Sequence, residues 1–220
     1  MAYGLHWEWR GFGHLDDRIR QRITGLRPLG SQLATVCDRY IWIPGCSANV
    51  KLRSWGSIAG LKFKRLIEED RQSQLQLWLE RPEEDYTFPI QPPVILELAK
   101  ILGVELPGDR AIGDSRELIT MLQNATADAC VVRVEKSRRA FIWDHTRDAV
   151  LVDLAEIRAP VETTTVGLED TAHLGDRSSA AEVRAANRSV TAAKADLGLP
   201  ASLETKSYLD ILPIWIGVDS

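Results

Sequence analysis

The chain has 220 residues, 27 Lys+Arg against 31 Asp+Glu, and a formal net charge of −4. With 45% hydrophobic and 26% charged residues it has an ordinary globular composition, which excludes disordered, collagen-like and disulfide-scaffold chains. Its length suits one domain of about 200 residues or two small ones, and its charge balance lacks the basic excess of a general nucleic-acid binder.

From the N-terminus, Tyr3, Leu5, Trp7 and Trp9 alternate with His6, Glu8 and Arg10. That is a period-two strand with one apolar and one ionisable face, ended by Gly11 and Gly13. Leu15 to Leu26 reads as a short helix with Asp16 and Asp17 in its first turn and Gly25 near its end. A β-rich tract follows: Gln32 to Ile43 before the Pro44-Gly45 turn, Val50 to Trp55, Leu61 to Leu66 and Leu75 to Glu80. Gly56 to Gly60 between the second and third strands predicts a hairpin.

The middle is helical. Pro93 opens Val94 to Leu102, which Gly103 closes. Asp114 with Glu117 forms a capping box for a helix to about Gln123. Cys130 to Asp144, Ala149 to Ile157 and Val161 to Asp170 then read as strands, with a turn at His145 to Asp148. Ser179 and Glu182 cap a long Ala-rich helix ending near Gly198. Ser207 to Val218 reads as a terminal helix turn or strand. Short hairpin connections make the class α+β with a mainly antiparallel sheet.

Cys37, Cys46 and Cys130 lack zinc-ligand spacing and are expected to be free thiols in a reducing, cytoplasmic setting. The N-terminus shows no basic segment followed by an apolar run, so no signal peptide is expected. Ile211 to Val218 is too short to span a bilayer. A phosphate-cradling glycine loop, His-Glu-x-x-His and Gly-x-Ser-x-Gly are all absent from the sequence.

Charge on strands stands out. Glu8 and Arg10, Lys51 and Arg53, Lys62 and Lys64, and Lys136 and Arg138 are each two apart, so each pair shares a strand face. Asp153 and Glu169 add carboxylates on later strands. Two explanations fit: the wet face of an antiparallel sheet, or a barrel whose ionic lining meets a polyanion. In the second, Arg and Lys engage phosphate oxygens while carboxylates hold a divalent cation.

The order of these motifs resembles the CYTH superfamily, the triphosphate tunnel metalloenzymes. That group includes class IV adenylate cyclases, thiamine triphosphatases and inorganic triphosphatases. The matching places are His6-Trp7-Glu8-Trp9-Arg10, Asp38-Arg39-Tyr40, Lys51-Leu52-Arg53, Leu61-Lys62-Phe63-Lys64, Glu135 to Arg139, Val152-Asp153-Leu154, Thr165 to Glu169 and Lys206 to Leu212. The resemblance implies a single domain over 1–220, built as a closed antiparallel β-barrel (tunnel) with flanking helices. A helical insert would lie at about 92–124 and a C-terminal helix at about 179–197.

The resemblance further implies a metal-dependent triphosphatase acting on inorganic triphosphate, thiamine triphosphate or a nucleoside triphosphate. Phosphate would be bound by Arg10, Lys51, Arg53, Lys62, Lys64, Lys136 and Arg138. Mg2+ or Mn2+ would be held by Glu8, Asp153, Glu169 and His6, and Glu8, Arg10 and Lys64 would be the catalytic set. The ligand would be a small triphosphate or polyphosphate, with no nucleic-acid or membrane partner, and the protein a monomer or homodimer. This chain departs from the family pattern at three places: His6 stands for a glutamate, Arg10 for a lysine and Gly167 for an acid. His6 suits manganese better than magnesium, or is a hydrogen-bonded tunnel residue. The alternatives are a non-catalytic polyphosphate or nucleotide binder of the same fold, or a nucleotide cyclase.

Overall fold

The computed structural model describes residues 4–30, 34–55, 58–80, 86–145, 149–171 and 180–218. In chain order the elements are β1 (Leu5–Gly13), α1 (Asp17–Thr24), β2 (Arg27–Pro28), β3 (Ala34–Trp42), β4 (Ala48–Trp55), β5 (Ile58–Asp70), β6 (Leu75–Leu79) and β7 (Tyr86–Thr87). They continue as α2 (Pro92–Leu102), α3 (Ser115–Ala125), β8 (Cys130–Trp143), β9 (Val150–Ala159), β10 (Thr163–Asp170), α4 (Ala180–Asp196), β11 (Glu204–Thr205) and α5 (Tyr208–Trp215). Strand order is β10-β9-β8-β3-β4-β5-β6-β1-β11, and β10 also pairs with β1. Eight strands therefore close into an antiparallel β-barrel flanked by five helices, the α+β class the sequence predicts.

The residues group into two compact units. The first comprises Met1–Val36, Leu66–Arg81 and Glu135–Ser207. Here the alternation of β1 sends Trp7 and Trp9 to one face, where they join Val152, Leu154, Val166 and Leu168 in a buried cluster. Helix α4 covers that cluster with Ala186, Val190, Ala193 and Leu197, a spacing that keeps all four on one helical face. Helix α1 adds Ile19 and Ile23, one turn apart. Its N-cap Asp16 accepts a hydrogen bond from the Ile19 amide at 2.9 Å. Burying each large apolar side chain contributes about 2 kcal/mol, so this face fixes which side of each strand points away from the helices.

The second unit comprises Cys37–Arg65, Pro82–Val134 and Tyr208–Ser220. Ile41, Val50, Leu52, Leu61 and Phe63 pack against Ile95, Leu98 and Leu102 of α2 and Leu118 and Leu122 of α3. Prolines fill the first two positions of α2, and Gly103 closes it at φ +68°, a left-handed conformation that favours glycine. Asp114 accepts from the amides of Arg116 and Glu117, as the capping pattern predicts. The Glu117 carboxylate reaches one residue beyond the cap and accepts from the Gly113 amide at 2.7 Å.

Several boundaries differ from the sequence pattern. Strand β5 runs to Asp70 rather than Leu66, because Asp70 closes a turn into β6 by accepting from the amides of Gln72 and Ser73 and the Ser73 hydroxyl. The terminal segment is helical, with Pro213 inside α5. Strands β2, β7 and β11 have two residues each, too few to show a period. The predicted turn at Gly56-Ser57, most of the 145–148 turn, the Ser179 cap and His173 lie outside the described residues.

Candidate functional site

Because Trp7, Trp9, Val152, Leu154, Val166 and Leu168 take the helix-covered face of the first unit, the opposite parity carries the ionisable residues. On β1 these are His6, Glu8 and Arg10. Antiparallel register places Glu8 opposite Glu169, Arg10 opposite Gly167, and Gly167 opposite Asp153. Lys136 and Arg138 reach the same face from β8, which has an irregularity between Glu135 and Lys136.

Three of the predicted metal ligands come together. His6, Glu8 and Glu169 each offer a ligand atom, and these atoms lie within 4.8 Å of one another. His6 is fully buried and Glu8 nearly so. His6 Nε2 is 3.6 Å from Glu169 Oε1. Ligand atoms of an octahedral ion with bonds of about 2.1 Å stand roughly 3 to 4 Å apart, so modest side-chain rotation suffices to form a site. One imidazole and two carboxylates fit Mn2+ better than Mg2+, which prefers oxygen alone. Trp78, the register partner of His6, is buried on the same strand face.

Asp153, the fourth predicted metal ligand, stands outside that group and among cations. Arg138 Nε donates to its Oδ1 at 2.9 Å, and Arg10 Nη1 is 3.7 Å from its Oδ2. Burial pushes the Asp153 carboxyl up, but the charges of Arg138, Arg10 and Lys136 outweigh it and hold the group below its ordinary value. Arg10 also donates through Nε to Glu8 Oε1 at 3.0 Å and through Nη1 to Thr165 Oγ1 at 3.4 Å. The predicted phosphate ligand Arg10 is thus tied to two carboxylates and a hydroxyl.

In the second unit the same alternation puts Asp38 and Tyr40 of β3, Lys51 and Arg53 of β4, and Lys62 and Lys64 of β5 opposite the helix-covered face. Lys51 lies across from Lys62, and Lys64 across from Asn49. Asp38 is fully buried and receives both Arg53 Nε at 2.9 Å and Arg53 Nη2 at 3.2 Å. Lys51 Nζ is 6.0 Å from the Tyr40 ring centre, and Tyr40 stacks on Tyr208 of α5 with centroids 4.8 Å apart.

The sequence motifs include Asp38 and Thr165 but give neither a role. Each had one available signal: Asp38 is the lone carboxylate between Ala34 and Trp42, and Thr165 shares parity with Gly167 and Glu169. Arg139 alternates away from Arg138, and its guanidinium sits 5.9 Å from the Phe141 ring. His14 and His145 are exposed.

No family model matches the chain, and no curated protein matches it. Among solved structures it is similar in fold to a conserved hypothetical protein from Pyrococcus furiosus, at 14% identity and a TM-score of 0.53, covering 93% of this chain and 98% of that one. A Hippeastrum protein described as a putative adenylyl cyclase with a dominant triphosphatase activity aligns at 9% identity and a TM-score of 0.48, over 95% of each chain. A putative adenylate cyclase from Bacillus halodurans aligns at 10% identity and a TM-score of 0.44, over 94% of this chain and 98% of that one. No described helix is long and apolar enough to cross a membrane.

Proposed function

We propose that the protein is a divalent-metal-dependent hydrolase of a triphosphate compound and a divergent member of the CYTH superfamily. The observation that carries this reading is the His6–Glu8–Glu169 group sharing one strand face with Arg10, Lys136 and Arg138. Phosphoryl transfer needs a metal-ligand set and fixed cations side by side. The motif order across the chain supports the same assignment.

In this reading Lys51, Lys62, Lys64, Lys136 and Arg138 hold phosphate oxygens, with Arg53 aligned by Asp38. His6, Glu8 and Glu169 hold Mn2+ or Mg2+; when bound, the ion supplies Lewis acidity toward a phosphate oxygen or a water. Water attacks the terminal phosphorus, the bond to the bridging oxygen breaks, and the departing polyphosphate carries the negative charge. Lys64 and its neighbouring cations stabilise that charge without having to reorganise. Arg10, held by Glu8 and Asp153, contributes as a fixed positive charge.

The test is orthophosphate release from inorganic triphosphate, thiamine triphosphate and nucleoside triphosphates with Mn2+ or Mg2+, and its loss on chelation. Release from none of the three overturns hydrolysis; cyclic nucleotide in place of orthophosphate makes the protein a cyclase instead. One observation favours a second reading, a non-catalytic binder: Arg10 engages Glu8 and Asp153, two of the four predicted metal-linked acids and imidazole. Calorimetric triphosphate binding that persists under chelator, without turnover, selects that reading.

A further inference from the structure

Gly167 lies directly across from Arg10 in the β1–β10 ladder and across from Asp153 in the β10–β9 ladder. A Cβ at this position would sit 2.5 Å from Arg10 Nη2, 2.8 Å from its Cζ and 3.0 Å from Nη1. The guanidinium therefore rests against the bare Cα of Gly167, and a side chain there would force it to shift. From that seat it bonds Glu8 at 3.0 Å, reaches Thr165 at 3.4 Å and lies 3.7 Å from Asp153. The other oxygen of Asp153 is taken by Arg138. Both oxygens of Asp153 thus face guanidinium groups, with the Lys136 charge also acting on the carboxyl.

A metal ion using Asp153 would have to break these contacts and enter beside three positive charges. The ligand atoms of His6, Glu8 and Glu169, by contrast, already lie within 4.8 Å of one another, a grouping that leaves Asp153 out. We propose that Arg10 and Gly167 are a coupled pair that makes this a one-ion centre: the guanidinium, admitted by the missing Cβ, fills the space between Glu8 and Asp153 and confines metal to a single ion at His6, Glu8 and Glu169. The inference rests on the metal reading above but not on turnover. It makes Gly167 a seat for a built-in cation, with Arg10 standing where a second metal ion would otherwise require Asp153.

The experiment is Mn2+ titration of the full chain without substrate, with free Mn2+ counted by electron paramagnetic resonance and heats by calorimetry. The wild type is expected to take one ion. Arg10→Met keeps the side-chain volume without the charge; it should keep one ion and bind it roughly tenfold tighter, since a cation beside Glu8 has gone. Arg10→Ala combined with Gly167→Asp removes the guanidinium and adds a carboxylate between Glu8 and Asp153. That variant should take two ions with a spin-coupled signal.

Two ions in the wild type overturn the proposal while leaving the hydrolase reading intact, and no ion overturns it as well. One ion still bound by the double variant, shown folded by its near-ultraviolet circular dichroism, overturns the coupling. One ion in the wild type with no phosphate release from any triphosphate leaves the proposal standing and removes hydrolysis.

Discussion

The two units carry the same period-two arrangement of charge, yet they balance it differently. In the first, Glu8, Asp153 and Glu169 stand among Arg10, Lys136 and Arg138, and carboxylates and guanidinium groups bind one another directly. In the second, Lys51, Arg53, Lys62 and Lys64 share a face with Asp38, which is engaged by Arg53. Partly buried like charges on paired strands raise the energy of a sheet, and Lys51 stands directly across from Lys62. The first face is thus compensated within the protein and suited to structure and metal. The second sets four cations, Lys51, Arg53, Lys62 and Lys64, on one face with the single acid Asp38, a composition that would suit an anion. On the function proposed above, the difference would give ion binding to one unit and most of the phosphate affinity to the other.

The largest effect that tests this contrast is on stability. Asp153→Ala strands two guanidinium groups and should cost about 3 kcal/mol, read from the denaturant midpoint. Asp38→Ala strands Arg53 alone and should cost less, about 2 kcal/mol. A larger loss from Asp38 than from Asp153 would break the view that the first face is the internally compensated one.

Next in size is ligand affinity. Lys62→Ala with Lys64→Ala should weaken calorimetric binding of inorganic triphosphate by about a hundredfold, roughly 2.7 kcal/mol, with Mn2+ binding unchanged. Glu169→Gln should do the reverse. Mn2+ affinity should fall at least about tenfold, a loss that even an outer-shell partner's removal produces, while metal-free triphosphate binding is retained. Equal losses of both ligands in both variants would dissolve the division of labour.

The smallest effect is with pH. The Asp153 carboxyl titrates lower in the folded chain than its ordinary value of 3.8, so the folded state takes up the proton later than the unfolded one. Its contribution to stability is present above that ordinary value and is lost as pH falls through the depressed one. Denaturant midpoints followed below pH about 4 should show this loss, and Asp153→Asn should reduce the slope.

Much of the architecture is legible in the sequence. The β1 alternation, the α1 and α3 caps and the proline and glycine at the ends of α2 are local signals, and each element formed where its signal lies. Two-residue strands left no trace, since a period needs several residues to appear. The extension of β5 was hidden because its end depends on the Asp70 turn bonds rather than on its own alternation. At the site, the sequence pattern shows which residues share a strand face, and hence that His6, Glu8 and Arg10 belong together. It does not show which cation each acid meets.

Gly167 shows why. In the one-dimensional pattern it reads as a missing acid, whereas in the folded chain it is the space that admits Arg10. Arg10 and its hydroxyl partner Thr165 are 155 residues apart, and only strand register brings them within hydrogen-bonding distance. By itself the sequence determined the strand and helix periods, the segregation of apolar from ionic faces and the inventory of cations and acids, because these follow from side-chain alternation and local capping. The tertiary structure decided the pairing: candidate metal ligands gathered at His6, Glu8 and Glu169, Asp153 given to arginines, and Arg53 to Asp38. Charge pairing falls off within a few ångströms, so it is settled by register and by the room beside each backbone, which no local pattern encodes.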